Sequence, residues 1–271
     1  MRLNELDFHV EFDGSGQHLL LLHGFTGSVR TWDDVRPALV GRASIIAVDL
    51  IGHGRSASPP DAQRYTLEWC ARDLVSLLDE LGLDRVDVLG YSMGGRVALH
   101  FAIHHAERVR ALILESASPG IEDQDERRKR VEADRALAQR ILESGIEAFV
   151  AEWERQPLLQ LASHVSETAR PRQHELRLQN NPLGLANSLR GMGAGRQVPL
   201  WSKLEHLSFP VHLIVGEQDQ RYTAMAGRMQ SLLPRASSTT VPGAGHTAHL
   251  DAPGLFVKTV ECALDNKLTR P

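Results

Sequence analysis

A chain of 271 residues with 42% hydrophobic and 24% charged residues has the make-up of a soluble globular protein, with room for one large domain or a core domain carrying an insertion. A net charge of −4 gives no sign of a nucleic acid or an acidic membrane as partner, nothing near the start reads as a signal peptide, and no apolar run reaches transmembrane length. The two cysteines, Cys70 and Cys262, lie far apart in helix-like surroundings and read as packed thiols, so a cytoplasmic protein is expected.

Residues 5–13 alternate roughly between apolar and polar and end at Asp13-Gly14-Ser15-Gly16, which reads as an edge strand and turn. The continuous run at 19–22 fits a strand buried on both faces, followed by the loop His23-Gly24-Phe25-Thr26-Gly27 and a helix near 32–39. Residues 44–48 form the next buried strand, ending in the turn Asp49…Gly52-His53-Gly54-Arg55-Ser56. Helical spacing covers 66–81, with Thr66 as N-cap and Gly82 as the stop. A short strand at 86–89 then enters Gly90-Tyr91-Ser92-Met93-Gly94, a G-x-S-x-G elbow, and residues 97–102 continue with helical spacing. After a strand at 109–115 the alternation stops. Residues 118–198 are charged, helix-like and poor in strands, with one long helix at 122–142 and shorter ones near 146–156 and 166–178. Strands resume at 210–215 and 237–241, and a last helix covers about 255–264. Buried strands alternating with helices imply a mostly parallel sheet covered on both faces. The expected organisation is a core of 1–117 and 199–271 with a helical lid, 118–198, inserted after strand six.

The elbow matters because a serine hydroxyl is inert until an imidazole takes its proton and a carboxylate fixes that imidazole's tautomer. Ser92 sits where a helix N-terminus favours developing negative charge. Asp219 follows the 210–215 strand directly and His246 follows the 237–241 strand, so all three lie at carboxyl ends of strands, where parallel sheets bind ligands. Glu217 and Glu115 are alternative carboxylates, and His249 is an alternative imidazole. A metal pair of His246 and His249 lacks a third ligand nearby, so neither metal nor cofactor is expected. Two N–H groups should hold the developing oxyanion, those of Met93 and Phe25.

His23-Gly24-Phe25, Asp49…Gly52-His53-Gly54-x-Ser56, the elbow and Gly245-His246 together resemble the α/β-hydrolase superfamily across essentially the whole chain. Other stretches resemble a narrower family, the menaquinone-pathway lyases of this fold, the 2-succinyl-6-hydroxy-2,4-cyclohexadiene-1-carboxylate synthases. These are Gly90-Tyr91-Ser92-Met93-Gly94-Gly95-Arg96, Glu115…Pro119-Gly120, Trp153…Gln156-Pro157, Leu176-Arg177…Asn180-Asn181-Pro182, Ser188…Met192-Gly193-x-Gly195 and Gly216-Glu217-x-Asp219-x-x-Tyr222. The resemblance implies elimination of pyruvate from a multiply negative small molecule, with Ser92 as base and no acyl-enzyme. It carries substrate contacts onto Tyr91, Arg96, Arg130, Trp153 and Arg177, with Arg127 the rival of Arg130. The competing expectations are a serine hydrolase of small esters or carbon–carbon bonds, and a ligand-sensing protein that has kept the fold. Partners are expected to be limited to that small anionic substrate, with no nucleic acid and no membrane, on a monomer or weak homo-oligomer.

Overall fold

A computed structural model of the chain describes residues 1–162, 165 and 169–265. The chain starts with a small hairpin, β1 (Arg2–Leu3) and β2 (Leu6–Asp7), turned by Asn4 and Glu5 at φ of 44° and 69°. Two consecutive residues with positive φ make the kind of turn that matches strand twist. The sequence placed an edge strand over 5–13; the strand begins only at Val10, because Leu6 and Asp7 pair backwards onto Leu3 and Arg2.

Seven strands form the main sheet: β3 (Val10–Asp13), β4 (His18–Leu22), β5 (Ser44–Val48), β6 (Val86–Tyr91), β7 (Val109–Glu115), β8 (Val211–Gly216) and β9 (Ala236–Val241). Their order is β3-β5-β4-β6-β7-β8-β9, with only β3 antiparallel to its neighbour. The strand before the insertion is therefore the fifth of this sheet in chain order, not the sixth, and the hairpin strands lie outside it. Successive side chains point to opposite faces. Leu20, Leu22, Ile46, Val48 and Val88 thus join one apolar layer, and Leu19, Leu21, Ile45, Ala47 and Leu89 the other. Both layers are covered, which is why residues 19–22 of β4 read as a continuous hydrophobic run.

The helices of the sheet unit are α1 (Arg36–Leu39), α2 (Leu67–Glu80) and α3 (Met93–His104). A 3₁₀ turn at Val29–Trp32 and the short α1 stand where the sequence suggested one helix over 32–39; Pro37 supplies no N–H for a longer one. Thr66 caps α2 by accepting from the Trp69 N–H, as its position implied.

Between β7 and β8 lie α4 (Gln124–Trp153), α5 (Ala169–Leu178) and α6 (Pro182–Met192). Asp123 caps α4, and Gly145 breaks it internally at φ 78°, ψ 174°, where the sequence separates a helix at 122–142 from one at 146–156. Residues 166–168, the expected start of the next helix, lie outside the described residues. The sequence reading missed α6, although Asn181-Pro182 is a start signal: the Asn181 side chain accepts from the N–H groups of Leu183 and Gly184, with Pro182 in the first turn. These helices share a core of Ala138, Ile141, Phe149, Val150, Leu185, Ala186 and Leu189. Phe25 packs against both that core and the sheet's. The chain closes with α7 (Gln220–Leu232), α8 (Ala248–Asp251) and α9 (Pro253–Leu264). Among the described residues no helix is long and apolar enough to cross a membrane.

Candidate active site

Strand β6 ends at Tyr91 and α3 begins at Met93, so Ser92 alone makes the turn, at φ 50° and ψ −106°. That conformation is unfavourable for a residue with a side chain and persists only where its surroundings enforce it. Here they do. A Cβ at Gly90 would collide with the Gly94 carbonyl, and one at Gly94 with the Leu22 and His23 carbonyls, so small neighbours let helix and strand approach closely enough to hold the turn. The Ser92 N–H donates to the Glu115 carbonyl at 2.9 Å, fixing the turn to β7.

His246, in the loop after β9, lies 3.0 Å from the Ser92 Oγ through Nε2. Its Nδ1 lies 2.6 Å from Asp219 Oδ2, and both side chains are buried. Since Nδ1 faces a carboxylate it carries the proton, which leaves Nε2 free to accept from the serine hydroxyl. Asp219 is at the same time the N-cap of α7, accepting from the Tyr222 N–H. The Tyr222 ring packs against His246 with centroids 4.7 Å apart, and Tyr91 packs on it at 5.6 Å.

The alternative partners are occupied elsewhere. Glu217 accepts from the Gly243 N–H. Glu115, fully buried, takes the His249 side chain and the His249 backbone N–H at 2.9 and 3.0 Å. This second carboxylate–imidazole pair pins the loop that carries His246 to the strand next to the serine. Asp251 holds the same loop from the other side, accepting from the N–H groups of Gly245 and Ala162 at 2.8 Å each.

The loop after β4 is held by a neutral network. The His23 Nδ1–H donates to the Gly24 carbonyl at 2.7 Å, and Nε2 accepts the Leu50 N–H at 2.9 Å, so the ring is buried as the neutral tautomer. Burial drops its pKa to about 4. Burial, with the His23 ring beside it, likewise takes His53 down to about 3. Asp49 accepts from the N–H groups of Val29 and Arg55. Asn180, from the insertion, donates to the Thr26 carbonyl and accepts from the Gly54 N–H, tying both loops to the insertion. The result presents Phe25 and Met93 to the cavity beside Ser92, and among the described residues neither backbone N–H has an acceptor.

That cavity, of about 190 Å³, is lined by Ser92 and His246 on one side and by insertion residues on the other. Tyr91, Arg96, Arg130 and Trp153 all line it, whereas Arg127 does not. Arg96 donates to the Met192 carbonyl at 2.7 Å. Loss of hydration, reinforced by the Arg130 charge, lowers its pKa to about 10. Arg130 pairs with Asp134 at 2.8 Å. Arg177 stands apart: it pairs with Glu154 at 2.7 Å and lines a smaller adjoining cavity that shares Phe25, Tyr91 and Leu159 with the first. The resemblance carries a substrate contact onto it; in the structure α5 turns it towards an acid at the end of α4.

Arg221, Tyr222, Ser118, Ser188 and Gln197 also line the main cavity; Tyr222 and Ser188 stand in the motifs quoted above, but the sequence reading gave none of the five a role. The place of Tyr222, one helical turn after Asp219, was a usable signal; the others come from loop paths that no local pattern announces. Among the described residues no Asp or Glu lines this cavity, and no group of three His, Cys, Asp or Glu is placed to hold a metal ion.

A family model described as the alpha/beta hydrolase fold matches residues 17–253. A Bacillus subtilis (strain 168) protein provisionally named 2-succinyl-6-hydroxy-2,4-cyclohexadiene-1-carboxylate synthase is 43% identical over 253 residues, which is 92% of this chain and 91% of its own. The synthase of that name from Enterobacter sp. (strain 638) is 32% identical over 235 residues, 87% of this chain and 86% of its own. Among solved structures, MenH from S. aureus matches with a TM-score of 0.91 at 31% identity, covering 96% of this chain and 98% of its own. The chain belongs to the α/β-hydrolase-fold family and, within it, to the 2-succinyl-6-hydroxy-2,4-cyclohexadiene-1-carboxylate synthases.

Proposed function

We propose that the chain is a carbon–oxygen lyase of menaquinone biosynthesis. It eliminates pyruvate from 2-succinyl-5-enolpyruvyl-6-hydroxy-3-cyclohexene-1-carboxylate to give 2-succinyl-6-hydroxy-2,4-cyclohexadiene-1-carboxylate. The observation that carries this reading is the cavity: a serine activated by His246 and Asp219 opens onto a space that, among the described residues, is lined by Arg96, Arg130 and Arg221 and by no Asp or Glu. Simple ester hydrolysis needs no such set of cations. A substrate with ring, succinyl and enolpyruvyl carboxylates does, because each buried anion must be paired.

In this mechanism Ser92 removes the ring proton next to the succinyl ketone as its own hydroxyl proton passes to His246 Nε2. Asp219 keeps Nδ1 protonated and stabilises the imidazolium. The electron pair from the C–H bond moves onto the ketone oxygen, where the N–H groups of Phe25 and Met93 take the charge. Its return forms a double bond from that carbon to C3 of the ring, the existing C3–C4 double bond shifts to C4–C5, and the C5–oxygen bond breaks; the enolpyruvyl group leaves with that electron pair and is protonated on carbon to pyruvate. The electron flow closes without an acyl-enzyme. Arg96 and Arg130 hold carboxylates, while Tyr91 and Trp153 shape the pocket. Arg177 joins them by exchanging Glu154 for substrate. Residues 118–198 act as the lid that brings these groups over the strand ends.

The test is to supply the enolpyruvyl precursor and follow pyruvate. Wild type should release it, and Ser92→Ala should lower kcat by about a thousandfold or more. Equal, slow release by both would sink the mechanism. Rapid turnover of p-nitrophenyl esters with an initial burst, and no pyruvate, would favour the hydrolase reading instead.

A further inference from the structure

Two of the arginines beside Ser92 are already engaged by the protein: Arg96 by the Met192 carbonyl and Arg130 by Asp134. A third lines the same cavity. Arg221 stands in the first turn of α7, two residues after Asp219, and is exposed. Among the described residues it has no carboxylate or carbonyl partner. Its position does nothing for the helix, since a cation in the first turn faces the positive end of the dipole, and that turn carries no acidic residue. Arg96, Arg130 and Arg221 all act on the Tyr222 ring, as does the Asp219 carboxylate, which is already engaged by His246. An uncommitted guanidinium at the rim of a cavity without acids is placed to be neutralised only by what enters.

We propose that Arg221 is a specificity residue that takes one carboxylate of the substrate at the cavity mouth while Arg96 holds another further in. The assignment rests on the lyase reading and extends it: the cavity selects for several separated carboxylates, not for one. A planar fork suits a carboxylate bidentately, so the charge alone recovers only part of the effect.

The experiment is steady-state pyruvate release by wild type, Arg221→Gln and Arg221→Lys at low and high salt. Arg221→Gln should raise KM by about tenfold to a hundredfold with kcat within about threefold, and should weaken the salt dependence of kcat/KM. Arg221→Lys should recover much of the affinity and the full salt dependence. A helix-stabilising or purely solvated arginine would move neither KM nor the salt dependence, and unchanged values in both variants overturn the proposal. If wild type itself releases no pyruvate, the lyase reading falls. The charge assignment is then read by calorimetry with citrate as a tricarboxylate probe. Weaker citrate binding by Arg221→Gln sustains it, and equal binding ends it.

Discussion

The loops of the sheet unit and the helices between β7 and β8 hold their functional side chains by different means. At the strand ends the fixing contacts are buried and mostly neutral or tightly paired: His23 between two backbone groups, Glu115 against His249, Asp219 against His246. In the insertion the contacts are ion pairs with more exposure, Arg130 with Asp134 and Arg177 with Glu154, the Arg130 side chain being 45% exposed. Breaking a buried pair costs about 3–5 kcal/mol and an exposed pair contributes about 0–1 kcal/mol; the half-buried pairs of the insertion lie between these limits. The reacting atoms are therefore fixed and the cations around them adjustable. A substrate carboxylate can take over an arginine from its acid more readily than it can shift the serine or the histidine, although the buried Asp134 carboxylate makes that exchange costly for Arg130.

The largest effect that would test this contrast lies at Asp219. Asp219→Asn keeps the shape of the side chain but offers an amide to His246 Nδ1, which no longer keeps its proton there. We expect kcat for pyruvate release to fall on the order of 10⁴-fold, with KM nearly unchanged and the fold intact by circular dichroism. A loss below about tenfold would mean that the buried pair is not what activates Ser92.

The next effect lies in the insertion. Arg130 and Trp153 belong to one helix yet line one cavity, although residues that far apart on a straight helix would stand about 35 Å from each other. The bend at Gly145 brings them together, and its φ and ψ fall in a region that essentially only glycine adopts. A Cβ there would meet only the Glu147 carboxylate at 3.6 Å, so the penalty is in the backbone and not in crowding. Gly145→Ala should cost about 2 kcal/mol in denaturant unfolding. It should also raise KM several-fold while leaving kcat within about threefold, because the sheet loops are untouched. A fall in kcat matching that of Asp219→Asn would erase the distinction between the two regions.

What could be read from the sequence follows the same division. Ser92, Asp219 and His246 were legible because each directly follows a buried strand, and strand ends in a parallel sheet converge on one edge. The 145 break and the Thr66 cap were legible because glycine and threonine act locally. The contact of Arg177 with Glu154 and the place of Arg221 in the cavity lining were not legible for a common reason: where a long side chain points depends on what its helix happens to face, and no local pattern carries that. In a chain with far more arginine than lysine, the residue type itself discriminates little. The start of α6 is legible in Asn181-Pro182, a side-chain cap followed by a first-turn proline, whereas its apolar face packs on α4 and has no signature of its own in the sequence.

The smallest expected effect per residue is on acid stability, and it arises in the sheet unit. His23, His53, His100 and His212 have pKa values lowered to about 4, 3, 4 and 4, in each case chiefly by burial. The unfolded chain takes up these protons near pH 6.5 while the folded protein does not. Stability is then level above about pH 7 and falls as the pH drops below 6.5, since the unfolded state binds more protons. For a group displaced as far as His23, the loss between pH 7 and 6 is about 0.7 kcal/mol and grows below that. His23→Gln offers the same acceptor to Leu50 and donor to Gly24 without titrating, so urea unfolding at pH 7 and 5.5 should show a flatter acid limb in that variant. If the limb is as steep as in wild type, the loop after β4 is not held by a neutral ring, and the claim that the sheet unit fixes its chemistry through neutral contacts fails at its nearest point to the oxyanion site.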